Sequence, residues 1–485
     1  LRTRYSKSFP WISTAAVALA FVASAFAANP VPQVVGPPIP QAVVPGSGAF
    51  TLKVYGANFV PGAVINWNRS PHSTTFISAR QLKARILASD VATATAGYIT
   101  VTNPPPGGGV SSSSYGLVEV HTPTSTIVAN GPNVYLRGGG PQFLLPTDFN
   151  NDGILDFAAS WGSEIKVLLG NGDGTFRFGS LATHSYYSGS AIAYGDFNND
   201  GNEDLVFGAD PNGPPTQLKV SLGDGTGHFR QGSRFGRFDP AYPLVIAAAD
   251  FNRDGNLDLV TIPGSKRGDF GVVLGNGDGT FKHLEDYFFP RAGEMVTGDF
   301  NGDGILDLVL LSGNTIYISV GNGDGRFKKP QTVIQSTKQI GDCGPPGLAV
   351  TDFNADGNGD LVYCERDQTN GKLWIALGNG DGTFKKPVSY PIPCGIFGFS
   401  FAVGDFNSDG KTDLLVNYNT TDVQVETDLY LGKGDGTFRP KQVVKLPGGT
   451  DYNAEVGIVV GDLNSDGLLD FIFQEPGGVS VFVQK

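Results

Sequence analysis

Histidine, cysteine and methionine are scarce in this 485-residue chain, with five, three and one of each. His72, His121, His184, His228 and His283 share no register and form no metal-ligand spacing, which argues against a histidine metal centre. Cys343, Cys364 and Cys394 leave room for one bridge and one free thiol, and their positions do not choose the pair. The single Met stands beside 68 Gly and 32 Pro, a balance that favours short strands and tight turns over helices. Basic residues are outnumbered, 34 against 46 acidic, and the formal net charge is −12. That sign argues against a nucleic-acid partner and suits a protein that binds cations. Long apolar runs are missing too, apart from Trp11 to Phe26. These 16 residues fall short of the ~20 that span a bilayer. With Arg2, Arg4 and Lys7 before it and Ala25-Phe26-Ala27 at its end, the run reads as a signal peptide over 1–27. The expected location is therefore secreted, at the cell surface or in a periplasm.

What is present is a repeat. A nine-residue stretch occurs seven times: DFNNDGILD from Asp148, DFNNDGNED from Asp196, DFNRDGNLD from Asp250 and DFNGDGILD from Asp299, followed by DFNADGNGD from Asp352, DFNSDGKTD from Asp405 and DLNSDGLLD from Asp462. Six copies are followed by a second signature of the form LGNGDGTF, at Leu169, Leu222, Leu274, Val320, Leu377 and Leu431. A period near fifty residues with several short strands marks a propeller or a solenoid. Each repeat reads as four strands. An apolar strand enters the aspartates, a second leaves them, a third enters the NGDG hairpin turn and a fourth follows its Phe.

The aspartates pose a problem of charge, since close carboxylates repel. Oxygen donors at loop positions 1, 3, 5 and 9, with the backbone carbonyl at position 7, can converge on one hard cation. The glycine at position 6 permits the sharp turn. The candidate ligands are Asp148, Asn150, Asp152, Ile154 and Asp156; Asp196, Asn198, Asp200, Asn202 and Asp204; Asp250, Asn252, Asp254, Asn256 and Asp258; Asp299, Asn301, Asp303, Ile305 and Asp307; Asp352, Asn354, Asp356, Asn358 and Asp360; Asp405, Asn407, Asp409, Lys411 and Asp413; and Asp462, Asn464, Asp466, Leu468 and Asp470. An EF-hand would need a glutamate at position 12, where these loops carry Ala159, Phe207, Thr261, Leu310, Tyr363, Val416 and Phe473. Ca²⁺ on a strand–loop–strand is the expectation, with up to seven ions. Mg²⁺ is disfavoured because it demands octahedral geometry. Without Arg2, Arg4 and Lys7 the net charge becomes −15, and seven divalent ions would bring it to −1. The aspartate of NGDG reads as turn chemistry alone.

Together the two signatures resemble the FG-GAP/VCBS repeat of integrin α-chain propellers and many secreted bacterial proteins, over roughly residues 122–485. The resemblance implies an all-β fold with a seven-bladed β-propeller of four-stranded blades, and Ca²⁺ held between the first and second strand of each. Ahead of it, 28–48 reads as a Pro-rich linker. Residues 49–121, with "VYGANFVPG" and "ITVTNPPPGGG", resemble an IPT/TIG immunoglobulin-like module. Such modules are spacers or binding platforms.

No G-x-S-x-G elbow, P-loop or Cys/His signature is present, and the paired carboxylates nearly all belong to the loops. The residues favour an adhesion or ligand-binding module for a glycan or an extracellular protein. A polysaccharide hydrolase or lyase and a purely structural surface protein are the alternatives. Segment 125–136 is expected to supply the strand that the seventh blade lacks. The aspartate loops and NGDG turns open on one face, so the variable loops define the other. There "HSYYSGS" and "RFGRFDPAYP" offer Tyr186, Tyr187, Arg234, Phe235, Arg237, Phe238 and Tyr242 as a possible ligand face, or as a plug for the channel.

Overall fold

The computed structural model describes residues 28–111, 116–136, 143–161, 163–183, 191–209, 216–238, 243–263, 270–287, 289, 293–341, 347–366, 371–392, 399–421, 424–444, 457–475 and 478–485. Within them the chain is all-β, and no helix is long and apolar enough to cross a membrane. The expected signal peptide lies outside the described residues, as do Cys343 and Cys394. Cys364 is buried and disulfide-bonded.

The N-terminal part is a sandwich of two sheets. In Phe50–Ala57 alternate side chains are buried, and Leu52, Val54, Ile65, Leu82, Ile99 and Val118 meet between the sheets. The proline-rich segment is extended, but it is no free linker. Gln33–Val34 pairs with Phe50–Ala57, and Ala42–Val43 pairs in parallel with Leu117–Val120, so each sheet gains a strand from it.

The rest forms four-stranded antiparallel sheets, seven among the described residues, as in a β-propeller. In the first, Leu144–Thr147, Asp156–Trp161, Glu164–Gly170 and Phe176–Thr183 follow one another in chain order. Strands such as Asp156–Trp161 are packed on both faces and are buried almost throughout. The last sheet combines Ile458–Gly461, Asp470–Glu475 and Gly478–Gln484 with Ala129–Tyr135 from before the first repeat. The expected closing strand is therefore in place, with Tyr135 opposite Val479 and Ala129 opposite Gln484. Leu144–Thr147 touches both Ile192–Gly195 and Ile458–Gly461, so first and last sheets are neighbours.

The two signatures meet between sheets. The Phe at position 2 of one loop stands edge-on to the Phe of the next sheet's turn: Phe149 on Phe229, Phe197 on Phe281, Phe251 on Phe327 and Phe353 on Phe438, with centroids 5.5–5.7 Å apart. Phe300 and Phe384 repeat the pair at 6.1 Å. Each such pair adds about 0.5–1.5 kcal/mol beyond its burial. Leu463, the one departure from Phe, packs in the same cluster as Phe176 and joins the last sheet to the first.

Candidate functional site

All seven aspartate loops share one backbone path. Position 4 is left-handed whatever residue stands there: Asn151, Asn199, Arg253, Gly302, Ala355, Ser408 and Ser465 have φ between 57° and 79°. The glycine at position 6 follows with φ between 78° and 91°. The requirement at position 6 was readable from glycine; that at position 4 was hidden by the mixture of residues that meet it.

The side chains wrap around this path. The first aspartate accepts the N–H groups of positions 5 and 6, as Asp148 does from Asp152 (3.1 Å) and Gly153 (2.8 Å). The Asn at position 3 accepts the position 5 N–H, as Asn150 does at 3.0 Å. In six loops the fifth aspartate accepts the position 7 N–H. The sixth loop is the exception: there Asp409 Oδ1 is buried without a partner.

The ninth aspartate has a role that sequence reasoning missed. One oxygen takes the position 2 N–H, and the other takes an N–H at the end of the third strand. Asp307 bonds Phe300 at 3.1 Å and Gly321 at 2.9 Å. The same brace joins Asp156 to Gly170, Asp258 to Gly275 and Asp413 to Gly432. In the last sheet Gln484 supplies the N–H to Asp470, at 2.7 Å. The glycine ahead of each NGDG turn, in register with each ninth aspartate, was the available signal. The turn aspartates behave as expected: exposed Asp173 accepts from both N and Oγ1 of Thr175, and these bonds hold its carboxyl below the usual range.

Burial and like charge press on the loops. Burial, opposed by backbone N–H bonds and aided by neighbouring aspartates, lifts Asp156, Asp204 and Asp307 to about 7 and Asp258, Asp360, Asp413 and Asp470 to about 8. The same causes lift Asp250 to about 6 and Asp405 to about 7. As the side chains stand, no group of three or more His, Cys, Asp or Glu among the described residues is gathered for a metal. Their oxygens are turned onto their own backbone. The donor set nonetheless fits Ca²⁺: it is all oxygen, rich in carboxylate, partly or fully buried at positions 1 and 9, and it holds the unpartnered Asp409 oxygen.

The N-terminal sandwich docks on this loop face. Arg69 reaches Asp148 Oδ2 at 2.6 Å and the Asn151 carbonyl at 3.0 Å. Val31 N–H donates to Asp250 at 2.8 Å, and Asn58 Nδ2 donates to the Asp250 carbonyl at 2.9 Å. Arg80 stands 3.7 Å from Asp299 and donates to Asn358 Oδ1 at 2.6 Å and to the Gly357 carbonyl. Ser408 donates to buried Glu119 at 2.5 Å, and burial next to Asp405 raises that carboxyl well above the usual range. Tyr98 donates to Asp462 at 2.7 Å, and His121 lies 2.5 Å from the Asp466 carbonyl. A cleft of about 1300 Å³ remains between the sandwich and the first three loops.

The opposite face is only partly described. Tyr186, Tyr187 and Tyr242 lie outside the described residues. Arg234, Phe235, Arg237 and Phe238 belong to the strand Phe229–Phe238 rather than to a loop, paired with Thr216–Gly223. Phe235 is stacked on Phe281 of the next sheet at 4.4 Å, which makes it an inter-sheet contact. Arg234 is exposed.

The model of the FG-GAP-like repeat matches residues 148–207, 196–261, 299–363, 352–416 and 419–473, more than half of the chain. The chain belongs to the FG-GAP-like repeat family. No relative is found among curated proteins. Among solved structures, this FG-GAP-like protein is similar to an Agrocybe aegerita lectin described as recognising non-reducing terminal N-acetylglucosamine, at 17% identity and TM-score 0.47, covering 86% of this chain and all of that one. It is also similar to the BP39L lectin of Burkholderia pseudomallei, at 14% identity and TM-score 0.48, covering 71% of this chain and 98% of that one. An auxiliary nutrient binding protein of Bacteroides ovatus matches at 12% identity and TM-score 0.41, covering 93% and 98%.

Proposed function

We propose that this FG-GAP-like repeat protein is a calcium-stabilised, seven-bladed β-propeller that works outside the cytoplasm as a ligand-binding or adhesion module, and that its N-terminal sandwich is an Ig-like module of the IPT/TIG kind. The partner is a glycan or an extracellular protein. The observation that carries the reading is the loop face: seven identical backbone paths set with carboxylates, held under a docked second module. A bound Ca²⁺ would supply positive charge among clustered carboxylates. Positions 1, 3, 5 and 9 with the position 7 carbonyl would hold it. The chain's own part is to shape each loop through its two left-handed residues, to brace it with the ninth aspartate and to shield it with the sandwich. Metal analysis of the purified chain tests the metal half, with at least five Ca²⁺ per chain expected and fewer than that contradicting it. A glycan array together with extracellular pull-down tests the binding half, and capture of nothing by either counts against it.

A further inference from the structure

Charge is divided unevenly along the chain. Residues 28–121 hold five basic side chains, Lys53, Arg69, Arg80, Lys83 and Arg85, against two acidic ones, Asp90 and Glu119, a net +3. Residues 122–485 hold 26 basic and 44 acidic side chains, a net −18. Two of the five sandwich cations are engaged in docking, Arg69 on Asp148 and Arg80 beside Asp299. The other three share one face. Along Phe50–Ala57 and Gln81–Ile86, Leu52, Val54, Leu82, Ala84 and Ile86 point into the sandwich core, so the alternate residues Lys53, Lys83 and Arg85 stand on the outer face. Lys53 is directly opposite Lys83, and Arg85 is opposite Thr51. Thr75, on the neighbouring strand Thr74–Ser78, is opposite Lys83 from the other side. These three strands carry no acidic residue. Among the described residues Lys53, Lys83 and Arg85 have no ion pair and no side-chain hydrogen bond. Like charges directly opposite in a sheet destabilise it, so the two lysines weaken the sheet that carries them until an anion lies between them.

We infer that this outer face of the sandwich binds an acidic polysaccharide, whose carboxylate or sulfate groups lie on Lys53, Lys83 and Arg85 and whose hydroxyls meet the exposed Thr51 and Thr75. The inference rests on the ligand-binding reading above and gives its partner a chemical class. Lysine and arginine make charge-assisted hydrogen bonds to such anions. Threonine hydroxyls both donate and accept, as sugar hydroxyls do. A protein partner needs an apolar or aromatic centre and meets few lysines in it. These rows of lysine, arginine and threonine supply no such centre. Tyr55, in the next row, is already held by the Arg80 guanidinium over its ring and by Gln81 Nε2 on its hydroxyl at 2.8 Å. Single-stranded nucleic acid wants free aromatic planes for its bases. A duplex or a bilayer is broad enough to meet the acidic propeller as well, which repels it. One extended anionic chain can follow three cations on the sandwich and avoid the −18 body behind them.

The test uses the full chain in millimolar calcium at about 0.15 M salt. The probes are a polyuronate, a sulfated polysaccharide, neutral dextran, poly-glutamate, duplex DNA and anionic phospholipid vesicles. One variant combines Lys53→Thr, Lys83→Thr and Arg85→Thr. A second is Lys83→Gln alone. A third combines Lys385→Thr and Lys386→Thr, which removes two exposed cations from the propeller. Wild-type protein is expected to bind at least one of the two acidic polysaccharides and not dextran. The triple variant is expected to lose about tenfold or more in affinity, Lys83→Gln less, and the propeller variant nothing, with calcium content and Tm unchanged. If the triple variant melts early, Lys83→Gln decides alone. Unchanged polysaccharide binding by the triple variant overturns the face while leaving the ligand-binding reading intact. Equal losses in the triple and propeller variants overturn it in favour of general charge attraction. Capture of poly-glutamate, DNA or vesicles in place of polysaccharide overturns the ligand class. Wild-type protein that binds no probe overturns the face, and the glycan array and extracellular pull-down then decide separately whether the binding reading stands.

Discussion

At the scale of single residues, the ninth aspartate and the turn aspartate differ more than their shared chemistry implies. Asp307 is fully buried and satisfies two backbone N–H groups from different strands. In Asp307→Asn one oxygen is replaced by an NH₂ that faces a donor, leaving a buried N–H unmade at a cost of about 1–3 kcal/mol. Asp173 is exposed and shapes only its own turn, so Asp173→Ala is expected to cost clearly less than Asp307→Asn. Denaturant titrations of both variants in chelator compare them with no ion contributing. Equal losses would show that the ninth aspartate is not a brace.

At the scale of the element, each loop is a cluster of carboxylates whose titration is tied to folding. The ninth-position groups quoted above are lifted to about 7 or 8 by burial and neighbouring charge, against an ordinary value of 3.8. A carboxyl raised in the folded state stabilises that state fully below its ordinary pKa and loses this contribution as pH rises through the raised value. Metal-free protein is therefore expected to melt at lower temperature at pH 8 than at pH 5. With calcium bound the trend reverses, because protons compete with the ion for the same oxygens. Melting curves across that window check both slopes, and parallel slopes with and without calcium would refute the coupling. The closing strand is the other element at issue. Replacing Ala129–Tyr135 with a Gly/Ser segment leaves Gly478–Gln484 as an open edge. Light scattering should then show association in place of a monomer. An unchanged monomer with unchanged Tm would mean the edge needs no partner.

For the whole molecule, the proposed calcium sites and the docked sandwich share one face. At a Kd near 0.1 mM and about 1 mM calcium, each proposed site would contribute about 1.4 kcal/mol, and seven sites on the order of 10 kcal/mol. Chelation should lower Tm by on the order of ten degrees. It should also loosen the sandwich, since Arg80 and Tyr98 hold loop carboxylates and amides whose positions depend on the loop fold. Small-angle scattering before and after chelation reads that loosening as a larger radius of gyration. Identical melting and scattering profiles would rule out a stabilising ion.

The sequence alone determined the repeat, the four-strand unit, the candidate ligands and the segment that completes the last sheet. Those are local or periodic properties: alternation, turn residues and a donor spacing repeated seven times leave little freedom. Tertiary structure decided the rest. The meeting of Phe149 with Phe229 joins residues eighty apart, and the brace of Asp156 on Gly170 joins two strands; neither partner names the other in sequence. The 234–238 segment looked like a loop because its glycine and arginines break the apolar pattern, yet strand pairing and the stack of Phe235 on Phe281 hold it in the sheet. Above all, the proline-rich segment and the sandwich settle on the aspartate face rather than apart from it. That docking depends on the relative placement of two folded bodies, which hydrophobic periodicity within either does not encode, and it is what creates the cleft beneath Arg69.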